Sequence, residues 1–180
     1  MPDPTLSDAW KEAAASAPAG EVMLHTLEFR HPNFIDEVGQ PSSIRVVLGH
    51  VDLEAKLEST APINPGEFVT FIAFGFEMTL PETRIASSPE LIIAIDNVSV
   101  EIEENLALAT ASPYKVEVTY RAYLSTDLTG PQNIPPLTMT LAGASATDQR
   151  VEARATFGDP SNLKFPDKTY NTTDYAGLGR

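Results

Sequence analysis

The clearest pattern of apolar and polar positions in this chain covers residues 90–124. Residues 91–95 (LIIAI) are apolar at every position, which predicts a strand covered on both faces. An apolar stripe at helical spacing follows, with acidic residues at 101–104 in its first turns, so a helix is predicted over about 98–111. The members of that stripe are Val98, Ile102, Leu106 and Ala109.

From Tyr114 the period changes to two, which predicts a half-buried strand. One parity is mostly apolar and includes Val116, Val118 and Tyr120. The other parity is polar and is expected to face water. It contains Lys115, Glu117, Thr119 and Arg121. This region predicts a helix packed on a mostly antiparallel sheet.

The amino-terminal half adds a helix and several strands. A capping pattern at residues 5–8 and good helix formers after it predict a helix over about 6–17. This helix carries Trp10 and is expected to pack on the protein's own core, with docking on a neighbouring subunit as the alternative. Residues 21–30 alternate as a strand with His25 and Leu27 on the core face, interrupted at His31-Pro32. Residues 33–43 are expected to form a loop, 43–48 a strand with Ile44, Val46 and Leu48 inward, and 52–58 either a helical turn or a strand.

Residues 67–80 (EFVTFIAFGFEMTL) are the most hydrophobic stretch of the chain. Phe68, Ile72, Phe74 and Phe76 share one parity, and Phe71 lies on the other. Gly75 in the middle predicts a bulge or a sharp bend. Such a strand is either central in a sandwich or covered by another subunit, and the sequence leaves both interpretations open.

The carboxyl-terminal part predicts a hairpin followed by an arm. Residues 137–142 and 150–157 alternate as strands, and the turn-forming residues 147–149 between them indicate that the two strands pair. Residues 161–180 carry only isolated apolar anchors and are expected to form an extended arm. The prediction is therefore an α+β, sheet-dominated single domain over residues 1–160. Its expected form is an antiparallel β-sandwich or barrel with one or two α-helices packed on it.

Composition narrows the function classes. The chain has 180 residues, a formal net charge of −13 and no cysteine. The charge argues against specific nucleic-acid binding, and the lack of cysteine excludes disulfides, zinc–thiolate sites and a cysteine nucleophile. The sequence lacks a signal-peptide pattern and an apolar run long enough to span a membrane, so we expect a protein made in the cytoplasm without membrane insertion.

No residue pattern indicates catalysis or a cofactor. His25 is expected to be a hydrogen-bonded sheet histidine, and the spacing of His25 and His31 does not suit a metal. The acidic residues at 101–104 are interpreted as a helix start, and Asp96-Asn97 as a strand end with a helix cap rather than a cation site. We therefore predict a protein that is not an enzyme, with no catalytic, cofactor-binding or metal residues.

The order of several short segments resembles a family of unknown function encoded in the tail gene clusters of long-tailed bacteriophages. The segments that carry the resemblance run along almost the whole chain. They are residues 15–18 (ASAP), 24–32 (LHTLEFRHP), 45–47 (RVV), 64–71 (NPGEFVTF), 95–99 (IDNVS), 118–121 (VTYR), 136–139 (PLTM), 153–159 (ARATFGD) and 164–166 (KFP), with Tyr170 beyond them.

The resemblance implies a minor tail or baseplate protein of the virion, similar to distal-tail proteins and made in the host cytoplasm. Its expected partners are itself, as a hexameric or trimeric ring, and the tail tube, tape-measure and tail-tip proteins of a non-contractile tail. DNA could pass through such a ring without specific binding. The alternative is a β-sandwich module that binds a small ligand or carbohydrate. The residues that we expect at the subunit interface are Phe68, Phe71, Phe74, Phe76, Phe165, Tyr170 and Tyr175.

Overall fold

The computed structural model describes residues 6–16, 20–36, 38–79, 90–96, 112, 114–146 and 150–157. These residues form one helix and nine strands. The elements are α1 (Asp8–Ser16), β1 (Met23–Ile35), β2 (Pro41–Leu48), β3 (Leu53–Lys56), β4 (Phe68–Phe74), β5 (Phe76–Thr79), β6 (Glu90–Asp96), β7 (Glu117–Leu124), β8 (Leu137–Ala146) and β9 (Arg150–Thr156). The helix expected at 98–111 and the arm expected at 161–180 lie outside the described residues.

All nine strands belong to one sheet, in the order β3-β4-β2-β1-β7-β8-β9-β6-β5. The α+β, sheet-dominated class is thus confirmed. The sheet is mixed rather than antiparallel, because β2 and β4 run parallel, with Val46 opposite Ile72. It is also not a closed barrel, since β3 and β5 remain at the two ends of a linear order. The predicted pairing of β8 with β9 is confirmed, with a register shift between Leu141 and Gly143.

The sheet is rolled so that its two ends approach each other. β4 is second in the order and β5 is last, yet only Gly75 separates Phe74 from Phe76 in the chain. Residues two apart in a chain lie within about 7 Å of each other, so the ends of these two strands must be neighbours in space. The predicted bend at Gly75 is therefore the point where the chain steps from one end of the sheet to the other.

The inside of the roll is the main apolar core. Every second side chain of the central strands points into this core, including Leu27 of β1, Val46 of β2 and Val118 of β7. Strands at the other end of the sheet close over it with Ile93 of β6 and Phe76 of β5. Because side chains alternate along a strand, the opposite parity of β1, β2 and β7 faces away from this core.

Helix α1 packs on the same core through Trp10 and Ala13, as expected. It begins at Ser7, whose hydroxyl accepts a hydrogen bond from the Trp10 amide (3.1 Å). The Ser7 hydroxyl also donates to Oε1 of Gln132 (2.7 Å), so the same side chain attaches the helix start to the loop before β8. The helix is thus capped by Ser7, which is the third residue of the predicted capping pattern at 5–8.

A second, smaller apolar cluster lies on the opposite face of the central strands. Val47 of β2 and Tyr123 of β7 face it, and β3, β4 and the segment after β3 cover it with Leu53, Leu57 and Phe71. The Tyr123 hydroxyl donates to the carbonyl of Lys56 (3.0 Å), and the Lys56 amide donates to the carbonyl of Leu128 (2.9 Å). These bonds hold the end of β3 against the loop that follows β7.

Two local expectations were wrong, and the alternative left open for residues 52–58 is decided in favour of a strand. His31-Pro32 does not interrupt β1, which continues to Ile35 through a register irregularity after Arg30, so residues 33–35 and 41–43 of the expected loop are strand. In β2 the adjacent residues Val46 and Val47 are both buried, because each face of this strand is covered by a different apolar cluster. Leu48, which was expected to point inward, is 37% exposed. The segment 52–58 contains strand β3 instead of a helical turn, since its backbone pairs with β4.

The expectations for β6 and β7 also need correction. In β6, Leu91, Ile93 and Ala94 are buried, but Ile92 is 43% exposed within the described residues. In β7 every residue from Val118 to Leu124 is buried, so the strand has no wet face over that length. Thr119 and Arg121, which sequence alternation assigned to solvent, are buried, and Arg121 belongs to a network of charges, whereas Glu117 at the start of β7 is exposed as expected.

Candidate functional site

A buried ion-pair network occupies the face of β1 and β7 opposite the main core. Arg121 is fully buried and binds Glu58 through Nε to Oε2 (2.7 Å) and Nη2 to Oε1 (2.8 Å). Its Nη1 donates to Oε2 of Glu28 (2.8 Å), which is equally enclosed. Oε1 of Glu28 accepts from Nε of Arg45 (2.9 Å) and from the hydroxyl of Ser43 (2.8 Å).

The network favours the charged form of the buried Glu28 carboxylate. Burial by itself raises the pKa of Glu28, but the guanidinium groups of Arg121 and Arg45 and the hydrogen bonds from Ser43 and Arg121 outweigh it and lower the pKa. Because every acceptor position faces a donor, the charges compensate each other. This arrangement leaves no free acid or base, so it holds the structure together and does not suit proton transfer to a substrate.

The network also holds the loop between β3 and β4. Nη2 of Arg45 donates to Oδ1 of Asn64 (3.0 Å), and the Asn64 amide nitrogen donates to Glu67 (2.7 Å). Asn64 has a positive φ of 55°, a backbone conformation that asparagine tolerates better than most residues. The loop is therefore attached at Glu58, at Asn64 and through the backbone bond from Gly66 to Glu58 (3.1 Å).

The two strand histidines are structural. His25 lies between Trp10 of α1 and Tyr120 of β7, and its Nδ1 is 2.8 Å from the Tyr120 hydroxyl, as expected for a hydrogen-bonded sheet histidine. Burial lowers the pKa of His25. His31 accepts the Asn33 amide at Nδ1 (3.1 Å), and its Nε2 lies 3.2 Å from the carbonyl of Tyr114, which fixes the proton on Nε2.

An open groove of about 540 Å³ lies on the same face as the network, at the far end of β1. Its floor includes Arg30 of β1, Glu117 of β7 and Thr140 of β8. Its exposed lining consists of ring-bearing side chains and one lysine, which are Pro32, Pro41, Pro62, Tyr114 and Lys115. Tyr114 is well exposed, so the groove offers both an apolar surface and positive charge to a ligand.

The predicted interface residues are divided by the fold. Phe68 is 55% exposed and Phe74 is partly buried against the main core, whereas Phe71 and Phe76 are buried inside the chain. Ile72, which shares the outward parity of Phe68 on β4, is 52% exposed. Phe165, Tyr170 and Tyr175 lie outside the described residues. Of the phenylalanines predicted at 68–76, Phe68 is therefore the one that is more than half exposed to solvent.

Other chemistry-bearing features give no site in the described residues. No group of three or more histidine, aspartate or glutamate side chains there is arranged to hold a metal ion. The acidic residues at 101–104 and Asn97 lie outside the described residues. Across the described ranges, α1 is too short and too polar to cross a membrane.

Sequence reasoning missed both the network and the groove. A signal for the network existed, since Glu28 and Arg121 occupy the non-core parity of strands that were each expected to have one apolar face. Opposite charges at such positions indicate cross-strand partners when the strands are neighbours. The groove had no such signal, because it depends on where Pro62 and Ile63 are placed by a loop.

The comparisons with known proteins add the family. Residues 9–170 match a domain of unknown function, DUF1833, and the chain therefore belongs to that family. No curated protein matched the chain.

Proposed function

We propose that this member of the DUF1833 family is a structural component of a bacteriophage tail tip or baseplate. It forms an oligomeric ring, hexameric or trimeric, at the distal end of a non-contractile tail. There it joins the tail tube, the end of the tape-measure protein and the tip proteins. It acts as a virion protein and not as an enzyme, and the resemblance of its segment order to tail-cluster proteins is the starting point of the proposal.

The observation that carries the proposal is an exposed apolar strip on β4. We use the name β4 strip for Phe68 and Ile72, which are both more than half exposed on the same face of one strand. Apolar side chains on a flexible loop can turn away from water, but these two are fixed by the pairing of β4 with β2 and β3. Exposed apolar surface on a rigid strand is typical of a protein–protein contact.

The rigid backing of the strip also supports an assembly role. On the opposite face of β4, Val69 and Phe71 are buried in the second cluster, and the attached loop before the strand is held by the ion-pair network. A fixed surface loses little conformational entropy on binding, which favours repeated, identical contacts around a ring. The net charge of −13 suits a channel that DNA passes through without binding.

Electron microscopy of the purified protein, alone and with its tail-gene neighbours, tests the proposal. We expect closed rings with a central channel, and we expect the double variant Phe68→Ser/Ile72→Ser to remain folded but to form few rings. Val22→Ser/Val38→Ser is the matched control, because it removes two exposed apolar side chains that lie before and after β1 and not on β4. Particles that stay monomeric with every neighbour present would overturn the proposal. Unchanged ring formation by the β4 double variant would show that the β4 strip is not part of the contact between subunits.

A second candidate, a ligand-binding module, is favoured by the groove beside Arg30 and Tyr114. Its size suits a small molecule, and it combines apolar rim residues with charge. Thermal unfolding in the presence of a panel of sugars and organic acids tests this role. A reproducible rise of the unfolding temperature in a protein that forms no rings would favour the module over the ring component.

A further inference from the structure

Arg30 differs from the other buried polar side chains of the described residues in its hydrogen bonding. Within the described residues, its Nε is the one buried side-chain nitrogen or oxygen without a hydrogen-bond partner. The side chain is only 11% exposed, so water compensates little of its charge. Buried donors normally have partners, and an unmatched one in a side chain that lines a groove points to an acceptor that arrives from outside.

A comparison with Arg121 shows what Arg30 lacks. In Arg121, Nε and Nη2 form one edge of the guanidinium, and the two oxygens of Glu58 bind both atoms of that edge. In Arg30, Nη2 donates to Oε2 of Glu117 (3.0 Å) and to the Thr119 hydroxyl (3.3 Å), but Nε donates to nothing. The Nε–Nη2 edge of Arg30 therefore has half of the carboxylate pairing that the same edge of Arg121 has in full.

The residue that now contacts this edge lies half in solvent. The Glu117 side chain is 54% exposed, so water can take over its charge when another carboxylate replaces it at Arg30. Lys115 is exposed nearby on the rim of the same groove and supplies a second positive charge. The Tyr114 ring, also exposed, can cover the apolar part of a ligand whose charged end reaches Arg30.

We propose that the groove binds a carboxylate-bearing ligand, whose two oxygens take the Nε–Nη2 edge of Arg30. Glu117 occupies part of that edge in the free protein and swings out when the ligand enters. Lys115 pairs with the ligand's remaining negative charge. The groove and the β4 strip consist of different residues, so ligand binding in the groove does not depend on whether the chain assembles into a ring.

The test uses two probes, succinate and a tetraglutamate peptide, titrated into the isotope-labelled full chain and followed by amide chemical shifts. We expect saturable shifts at groove residues such as His31, Lys115 and Thr140. Arg30→Lys keeps the charge but removes Nε and the planar edge, so it weakens binding by about tenfold or more. Arg154→Gln removes an exposed positive charge on β9, so it is the control for non-specific attraction of the acidic probes and should bind like the wild type.

The variant Glu117→Gln separates binding from damage to the fold. It removes the internal competitor, so we expect it to bind both probes more tightly than the wild type, by about tenfold. A loss of structure cannot produce such a gain. Binding of both probes indicates free organic acids as ligands, and binding of the peptide alone indicates an acidic segment of a protein. Equal weakening by Arg30→Lys and Arg154→Gln, or no saturable shift in either the wild type or Glu117→Gln, would overturn the proposal.

Discussion

The two faces of strand β7 are both buried, but by opposite means. On one face Val118 and Ala122 pack in the main apolar core under α1 and the far strands of the sheet. On the other face Arg121 is enclosed by carboxylates, with Tyr123 packed beside it in the second cluster. The first face excludes water by apolar contact, and the second does so with charges that compensate each other.

The difference teaches that alternation along a strand identifies the chemistry of a face but not its exposure. Apolar burial is non-directional and tolerates small shifts, whereas the network depends on three guanidinium–carboxylate contacts of 2.7–2.8 Å at Arg121. Removing one partner on the second face leaves a buried charge with no compensation. Removing one side chain on the first face leaves only a cavity. The two faces should therefore respond differently to substitution.

We expect the largest effect from Arg121→Met on the charged face. It leaves Glu28 and part of Glu58 as buried charges without their partner, so the free energy of unfolding should fall by about 3–5 kcal/mol. Urea denaturation at neutral pH measures this loss. A loss below about 1 kcal/mol would show that water reaches the carboxylates and that the face is not enclosed as described.

Leu27→Ala on the apolar face should lower the free energy of unfolding slightly less than Arg121→Met does. Leu27 is fully buried in the main core, and its removal creates a cavity worth about 3 kcal/mol. The same denaturation experiment measures it, and Ile35→Ala is the control because Ile35 is exposed on the same strand. If both β1 variants lost the same stability, the assignment of faces along β1 would be wrong.

A double variant sharpens the comparison further. Arg121→Met combined with Glu28→Gln removes a charge together with its partner, so the double loss should be smaller than the sum of the two single losses by about 1–3 kcal/mol. Ile93→Ala in the main core, on a strand three places from β7 in the sheet order, combined with Arg121→Met should be additive within about 0.5 kcal/mol. Coupling of equal size in both pairs would mean that the two faces do not act independently.

The smallest effects should come from pH, and the two faces should respond in different ranges. Burial lowers the pKa of His25 on the apolar face, so its contribution to stability is complete above 6.5 and decreases as the pH falls below that value. Glu28 has a lowered pKa on the charged face, so its contribution decreases only as the pH falls below 4.5. Stability measured across this range should show two separate declines.

Two variants assign these declines to their faces. His25→Gln should flatten the decline that begins at 6.5, and Glu28→Gln should flatten the one that begins at 4.5 at the cost of lower stability at neutral pH. Loss of the upper decline in Glu28→Gln would contradict the assignment, since Glu28 remains ionised in that range.

Much of the fold could be predicted because apolar periodicity is a local property. The α1 helix, the core face of β1 with Leu27, and the β8–β9 hairpin follow from residues close in sequence. The parallel pairing of β2 with β4 could not be predicted, because it depends on where β3 takes the chain. The continuation of β1 past Pro32 was missed for a similar reason, since the register irregularity after Arg30 accommodates the proline.

The candidate site was less predictable than the fold. Phe68 and Phe71 differ by three residues and look alike in the sequence, yet one is exposed and the other fully buried. Their difference comes from β3 and the segment after it, which cover only one face of β4. The unmatched Nε of Arg30 is a property of one hydrogen-bond geometry, which no pattern of residue types contains.

The pairing of β1 with β7 has a consequence for how the chain folds during synthesis. Among the strands of the described residues, five are synthesised between β1 and its partner β7. Until then β1 can pair only with β2, and Leu27 and Glu28 both lack the surroundings that bury them. Contacts this distant in sequence slow folding, so the unfinished chain presents an unpaired, partly apolar strand edge while it waits. Lowering the translation rate should therefore increase the capture of nascent chains by chaperones.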